Sequence, residues 1–170
     1  MVAAAGEIAR LEIPDGPGGP APGRFAGLRR RLALLRSKVP VADLVRARRM
    51  LAASALSRVA SHGDFHSNNV LIAGGSCWVI DWELAGRRPA GYDLMRYWTG
   101  AEEEEREVLF EGAVELAGPS ATRELLRLRY AVTVQTIAGM LAAVNDFDRD
   151  PDRGQALLRL LPELRREAGV

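Results

Sequence analysis

The sequence predicts a mainly helical α+β fold that carries one small β-hairpin, and three observations predict it. Apolar residues recur at helical spacing through most of 25–59 and again beyond residue 93. Only the stretch 70–80 has two short runs rich in β-branched and aromatic residues, and Gly74-Gly75 separates them as a hairpin turn would. With 170 residues, 48% of them hydrophobic, the chain can bury a core of its own.

Each element follows from local pattern. Residues 7–13 alternate enough for a short strand. Residues 14–23 hold four prolines and four glycines and read as a linker. Phe25, Leu28, Leu32 and Leu35 then mark a helical stripe, with Arg24, Arg29, Arg30, Arg31 and Arg36 mostly off it. Pro40 suits the start of another helix, and Val41, Leu44, Val45, Leu51, Ala55, Leu56 and Val59 give it a buried face to about residue 60. A loop spans 61–69. Val70-Leu71-Ile72 and Cys77-Trp78-Val79-Ile80 are the paired strands, so Asn69 enters the first and Asp81 leaves the second. Helices follow at 93–98, 102–117, about 120–144 and about 152–167, with Gly118-Pro119 as a break.

Bulk properties exclude several classes. A formal net charge of +1 argues neither for nor against a nucleic-acid partner. The run from Arg24 to Arg49 is basic, but Phe25 is its only aromatic, so base stacking has no support and a solvated helix face is expected. Lys38 is the only lysine, so any role that needs one falls there. Cys77 is the only cysteine; this excludes an internal disulfide and fits a reducing compartment, and its strand setting predicts a buried, inert thiol. The N-terminus lacks the pattern of a signal peptide, and the apolar segment 131–144 contains Thr133, Gln135 and Thr136 and is too short to span a bilayer. A soluble, cytoplasmic protein with no membrane partner is expected.

The chemistry concentrates in His62-Gly63-Asp64-Phe65-His66-Ser67-Asn68-Asn69 and in Ile80-Asp81-Trp82. An aspartate, an amide five positions on and a second carboxylate at the end of an apolar run are the groups phosphoryl transfer from a nucleotide requires. One carboxylate faces the attacking hydroxyl, while an amide oxygen and the other carboxylate suit Mg²⁺, a hard cation that prefers oxygen. The hairpin register predicts that Asn69 and Asp81 come close together, as a shared metal demands.

Three ordered segments, His62-Gly63-Asp64-x-His66-x-x-Asn69-Val70-Leu71, Val79-Ile80-Asp81-Trp82-Glu83 and Gly91-Tyr92-Asp93-Leu94, resemble the aminoglycoside phosphotransferase family of the choline-kinase-like group. The resemblance covers about residues 24–145 and implies a protein-kinase-like fold. It implies that Asp64 is the catalytic aspartate, that Asn69 and Asp81 bind Mg²⁺ and with it ATP or GTP, and that His62 and Asp93 brace the catalytic loop. It also implies a small hydroxyl-bearing substrate, cationic if Glu102–Glu105 or Asp146, Asp148, Asp150 and Asp152 receive it. Members carry an N-terminal lobe with a glycine-rich loop and a strand-borne lysine, and neither pattern precedes His62 here. The expectation is a short segment and linker at 1–23, then a C-terminal lobe alone at 24–170, weak or inactive by itself, with a separate N-lobe-like chain as a candidate partner.

Three other readings compete with this one. A catalytically inert kinase-like interaction module accommodates the missing lysine and glycine loop. A zinc hydrolase built on His62, Asp64 and His66 would need a further ligand and leaves Asn69, Asp81 and Asp93 without a reason. A nucleic-acid binder would act through the arginine-rich helices. Trp82 is expected to pack in the core behind the metal loop, and His66 to be a plain loop residue.

Overall fold

The computed structural model describes residues 1–12, 39–142 and 151–170. The linker at 14–23, the helical stripe from Phe25 to Leu35, Lys38, and Asp146, Asp148 and Asp150 lie outside the described residues. Six helices are described: α1 (Val2–Ala9), α2 (Val41–Ala52), α3 (Tyr92–Trp98), α4 (Glu103–Ala117), α5 (Thr122–Ala142) and α6 (Pro151–Ala168). Four short strands accompany them: β1 (Arg58–Ser61), β2 (Val70–Ala73), β3 (Ser76–Val79) and β4 (Gly86–Pro89). The fold is thus mainly helical α+β with two small antiparallel sheets. No helix among the described residues is long and apolar enough to cross a membrane.

The strands form two nested ribbons. β1 pairs with β4, with Ser61 opposite Gly86, and the stretch between them holds the second ribbon, in which Val70 pairs with Val79. Gly74 and Gly75 turn that inner ribbon at φ +56° and +76°, the left-handed pair a two-residue hairpin requires. An Ile80 N–H to Asn69 C=O bond of 3.0 Å extends its ladder one step towards the site. The outer ribbon therefore clasps residues 62–85 at both ends, and the inner one folds them back on themselves.

The chain divides into two compact units, one within Met1–Pro20 and Ser54–Leu125, the other within Ala21–Ala53 and Leu126–Val170. The first buries Phe65, Leu94, Met95, Trp98, Leu109 and Leu125, and it contains both ribbons. In the second, Leu157, Leu161, Leu164 and Ala168 of α6 recur at helical spacing and are buried, as are Tyr130, Val134 and Ile137 of α5.

Four sequence expectations are corrected. Residues 7–13 were expected to include a strand, but Val2–Ala9 is helix, favoured by its alanines and seated against α4 where Gly112 admits Val2. The helix expected to reach residue 60 ends at Ala52, because Val59 and its neighbours pair with β4 instead. Its buried face is also different. Val41 is 63% exposed, whereas Asp43 and Ala47 are buried. Asp43 tolerates this because Tyr130 Oη donates to it at 2.7 Å, Arg165 Nε at 3.1 Å and Arg46 Nη1 at 3.2 Å, with Arg165 Nη2 on its other oxygen. Cys77 is exposed rather than buried, since none of the described residues layers over the inner ribbon: Ile72 is 73% and Trp78 62% exposed.

Candidate active site

Asp93 organises the site. It lies in the first turn of α3, where a carboxylate suits the helix dipole, and it is 6% exposed. Its Oδ1 accepts from Ser61 Oγ at 2.8 Å and Gly63 N at 3.0 Å, and its Oδ2 accepts from His62 N at 2.8 Å. Three buried donors at the end of β1 thus find one acceptor, which fixes where the segment begins. Gly63 follows with φ +84°, and a Cβ there would lie 2.2 Å from the Leu84 carbonyl oxygen, so only glycine fits.

His62 joins the two sides of the loop. Its ring is fully buried, and Nε2 donates to the Ile80 carbonyl at 2.8 Å, which ties the start of the 62–69 segment to the residue before Asp81. The hydrogen on Nε2 leaves Nδ1 as a buried acceptor with no partner among the described residues. Trp82 stands edge-on to the ring at 4.9 Å and donates from Nε1 to Val79 O at 2.8 Å. The expectation for Trp82 is corrected in part: it packs behind the loop, but it remains 38% exposed and is not core.

Asp64 is partly exposed, at 29% of its side chain. Its Oδ1 accepts from Arg96 Nε at 3.1 Å and Nη2 at 2.8 Å, and Oδ2 faces His66 Nε2 at 3.4 Å. His66 Nδ1 accepts from Asn68 N at 3.3 Å, so the ring hydrogen is on Nε2, towards Asp64. His66 hydrogen bonding together with the Arg96 charge outweighs partial burial and lowers the Asp64 carboxyl to about 2. Neither neighbour was expected. His66 is more than a loop residue, and Arg96 is 32 residues away, just past the Gly91–Leu94 segment, with no motif residue of its own to mark it.

Asn69 is 7% exposed and sits at the end of a short 3₁₀ turn, Ser67–Asn69, that His66 caps. Its Nδ2 donates to the Asp64 carbonyl at 2.9 Å, which orients the amide and leaves Oδ1 as the atom available to a ligand. Asp81 leaves the ladder with φ +64°, the only positive φ at a non-glycine among the described residues. Such strain persists where surrounding structure enforces it, and here the Ile80 bonds to Asn69 and His62 do so. The Asp81 carboxylate is exposed and takes no hydrogen bond from the described residues.

The five residues singled out from the sequence are therefore joined in one short network, His62 to Asp93, His62 to Ile80, Asp64 to Asn69 and Asn69 to Ile80, with Asp81 next in the chain. Among the described residues no three His, Cys, Asp or Glu side chains are grouped to hold a metal ion, and His62 has spent Nε2 on a carbonyl. Glu102 and Glu105 form a reciprocal capping box at the start of α4.

Residues 2–131 match the model of the phosphotransferase enzyme family. The chain belongs to that family. No curated protein matches the sequence. Among solved structures, a choline/ethanolamine kinase family protein from Mesorhizobium loti is similar at 19% identity and a TM-score of 0.65, covering 99% of this chain and 64% of that one. LicA, solved in complex with AMP, is similar at 14% identity and a TM-score of 0.56, covering 96% of this chain and 61% of that one. The aminoglycoside phosphotransferase APH(4)-Ia is similar at 24% identity and a TM-score of 0.53, covering 93% of this chain and 62% of that one. These likenesses establish the shared fold of the family. The chain spans about three fifths of the length of these solved relatives.

Proposed function

We propose that the chain is the C-terminal, catalytic-loop lobe of a small-molecule kinase that transfers the γ-phosphoryl group of ATP (or GTP) to a substrate hydroxyl. The observation that carries this reading is the hydrogen bond from Asn69 Nδ2 to the Asp64 carbonyl together with the Asn69–Ile80 bond, which hold an aspartate, an amide oxygen and a second carboxylate in one loop. Asp64 receives the acceptor hydroxyl. The hydroxyl oxygen bonds to the γ-phosphorus as the β–γ bridging bond breaks, its electron pair leaves on ADP, and the hydroxyl proton passes through the Asp64 carboxylate to water. With its carboxyl at about 2, Asp64 is too weak a base to deprotonate a resting hydroxyl, so its work is to orient it.

Asn69 and Asp81 fit Mg²⁺. Both present oxygen, and two protein ligands suit a cation that keeps waters and substrate phosphates as its other ligands. When bound, Mg²⁺ neutralises charge on the β- and γ-phosphate oxygens. The chain's own share is to fix the two ligand residues, His62 and Asp93 doing so from behind.

The substrate class is a small molecule, and the cation that a choline-type or aminoglycoside substrate carries would meet the exposed carboxylates Glu103 and Glu104, which the α4 cap leaves unspent. Phosphate contacts are sparse, because Lys38 is the only lysine and no Gly-x-Gly-x-x-Gly occurs. Turnover by this chain alone is therefore expected to be slow. The exposed apolar ribbon, with Leu71, Ile72 and Trp78, favours a partner on that surface, and an N-lobe-like chain is the one proposed.

The test is transfer of ³²P from γ-labelled ATP, with and without Mg²⁺, to choline, ethanolamine or an aminoglycoside. Slow Mg²⁺-dependent transfer that Asp64→Ala abolishes supports the reading. Nucleotide turnover that is unchanged in Asp64→Ala, or none at any Mg²⁺ concentration, contradicts it.

A further inference from the structure

The two oxygens of Asp64 have unlike surroundings. Oδ1 accepts two hydrogen bonds from one guanidinium, at 2.8 and 3.1 Å from Arg96. Oδ2 has His66 Nε2 at 3.4 Å, longer than a well-formed N–H···O bond. An incoming hydroxyl therefore finds its acceptor at Oδ2, where lone pairs remain.

Arg96 is itself held. Its Nη1 donates to Thr99 Oγ1 at 3.3 Å, and that hydroxyl donates to the Arg96 carbonyl at 2.8 Å, with Thr99 buried. Arg96 lies three positions after Asp93 on α3, so the two residues share a helical face. One helix thus grips the catalytic segment twice: Asp93 takes the backbone of 61–63, and Arg96 takes the side chain of Asp64.

We propose that Arg96 is a positioning residue for phosphoryl transfer, locking Oδ1 of Asp64 so that Oδ2 is presented to the acceptor hydroxyl. This rests on the phosphotransferase reading above. The fork geometry is essential: a lysine ammonium is a point donor and cannot fix the carboxylate plane as two N–H bonds from one rigid group do. Of the other contacts described for the loop, only His66 reaches the Asp64 side chain, at 3.4 Å from Oδ2, and it leaves Oδ1 to Arg96. Asn69 holds the Asp64 carbonyl and leaves its side chain free to rotate, and Asp93 acts on residues 61–63.

The experiment measures kcat and KM for ³²P transfer from Mg·ATP in Arg96→Gln, Arg96→Lys and Asp64→Asn, and in the Arg96→Gln/Asp64→Asn double variant, in the full chain. Arg96→Gln is expected to lower kcat by about 100-fold, the cost of misplacing a reacting group by about an ångström, with KM for ATP unchanged. Arg96→Lys keeps the charge and is expected to recover only part of that loss. In the Asp64→Asn background Arg96→Gln should lower the residual rate no further, because it acts through Asp64. The thermal shift produced by Mg·ADP should be the same in Arg96→Gln as in the parent chain, which also shows that the variant folds. Should Arg96→Gln fail to fold, Arg96→Lys carries the test alone. Wild-type kcat in a folded Arg96→Gln or Arg96→Lys overturns the proposal, as does a fall that persists undiminished in Asp64→Asn. No transfer by the parent chain sinks the phosphotransferase reading itself, a result distinct from either.

Discussion

Replacing Asp93 separates its two oxygens by experiment. Asp93→Asn can keep its amide oxygen where Oδ1 accepts from Ser61 and Gly63, but then its NH₂ faces the His62 N–H that Oδ2 now accepts. One buried donor loses its acceptor, a cost of about 1–3 kcal/mol. Asp93→Ala removes both oxygens: it strands the His62 N–H and leaves the Gly63 N–H only its 3.1 Å bond to Ser61 Oγ, whose own hydroxyl can turn elsewhere. The cost rises to about 2–4 kcal/mol, a large share of the 5–15 kcal/mol typical of a domain. Urea unfolding followed by tryptophan fluorescence measures both, because Trp82 abuts His62 and Trp98 ends α3. The expected order of midpoints is wild type, then Asn, then Ala. An Asn variant with the wild-type midpoint, or an Ala variant no weaker than Asn, would refute the assignment of separate donors to the two oxygens.

Further outcomes follow from the same contacts. Asp64 has its carboxyl lowered from 3.8 to about 2, so its pairing stabilises the fold fully above about pH 4 and ceases to do so as pH falls through 2. The contribution is on the order of 2 kcal/mol, and urea midpoints in Asp64→Asn should fall less between pH 5 and pH 2 than in the parent chain. Gly63→Ala drives a Cβ against the Leu84 carbonyl at positive φ, so it should cost about 3 kcal/mol or more, read as a lowered Tm. Tyr130→Phe removes one hydrogen bond to buried Asp43 and should cost about 1–2 kcal/mol, whereas Asp43→Ala strands the buried Tyr130 hydroxyl, unpairs the partly exposed Arg165 and should cost about 2–4 kcal/mol; equal losses would contradict the pairing.

What the sequence could disclose depended on how local each cause was. The inner ribbon was legible because Gly74-Gly75 and the flanking β-branched and aromatic residues act within ten positions of one another. The helices α3 to α6 were legible from their breaks and apolar spacing, and the candidate site residues, which the fold brings into one loop network, stood out by their motif. β1 and β4 were not. Arg58-Val59-Ala60-Ser61 and Gly86-Arg87-Arg88-Pro89 have no alternation, and their pairing rests on partners 29 residues apart, where Arg58 and Arg87 each donate to the other's carbonyl. Asp43 reads from sequence as a solvated acid, and only the distant Tyr130 and Arg165 make its burial tolerable. Arg96 is invisible for the same reason: a lone arginine in a helix has no signature until the fold brings Asp64 to it. Cys77 and Trp78 depart the other way, since strong β-propensity predicts a covered strand whereas the ribbon stands exposed.

The account rests on Asn69 and Asp81 holding a divalent ion against a nucleotide beside Asp64. Mn²⁺ binding in the presence of ADP, followed by electron paramagnetic resonance, tests this without requiring turnover. The account predicts that ADP strengthens Mn²⁺ binding in the parent chain, and that Asn69→Ala and Asp81→Ala each weaken it by at least about tenfold. Mn²⁺·ADP binding that is equally tight in both variants would contradict it.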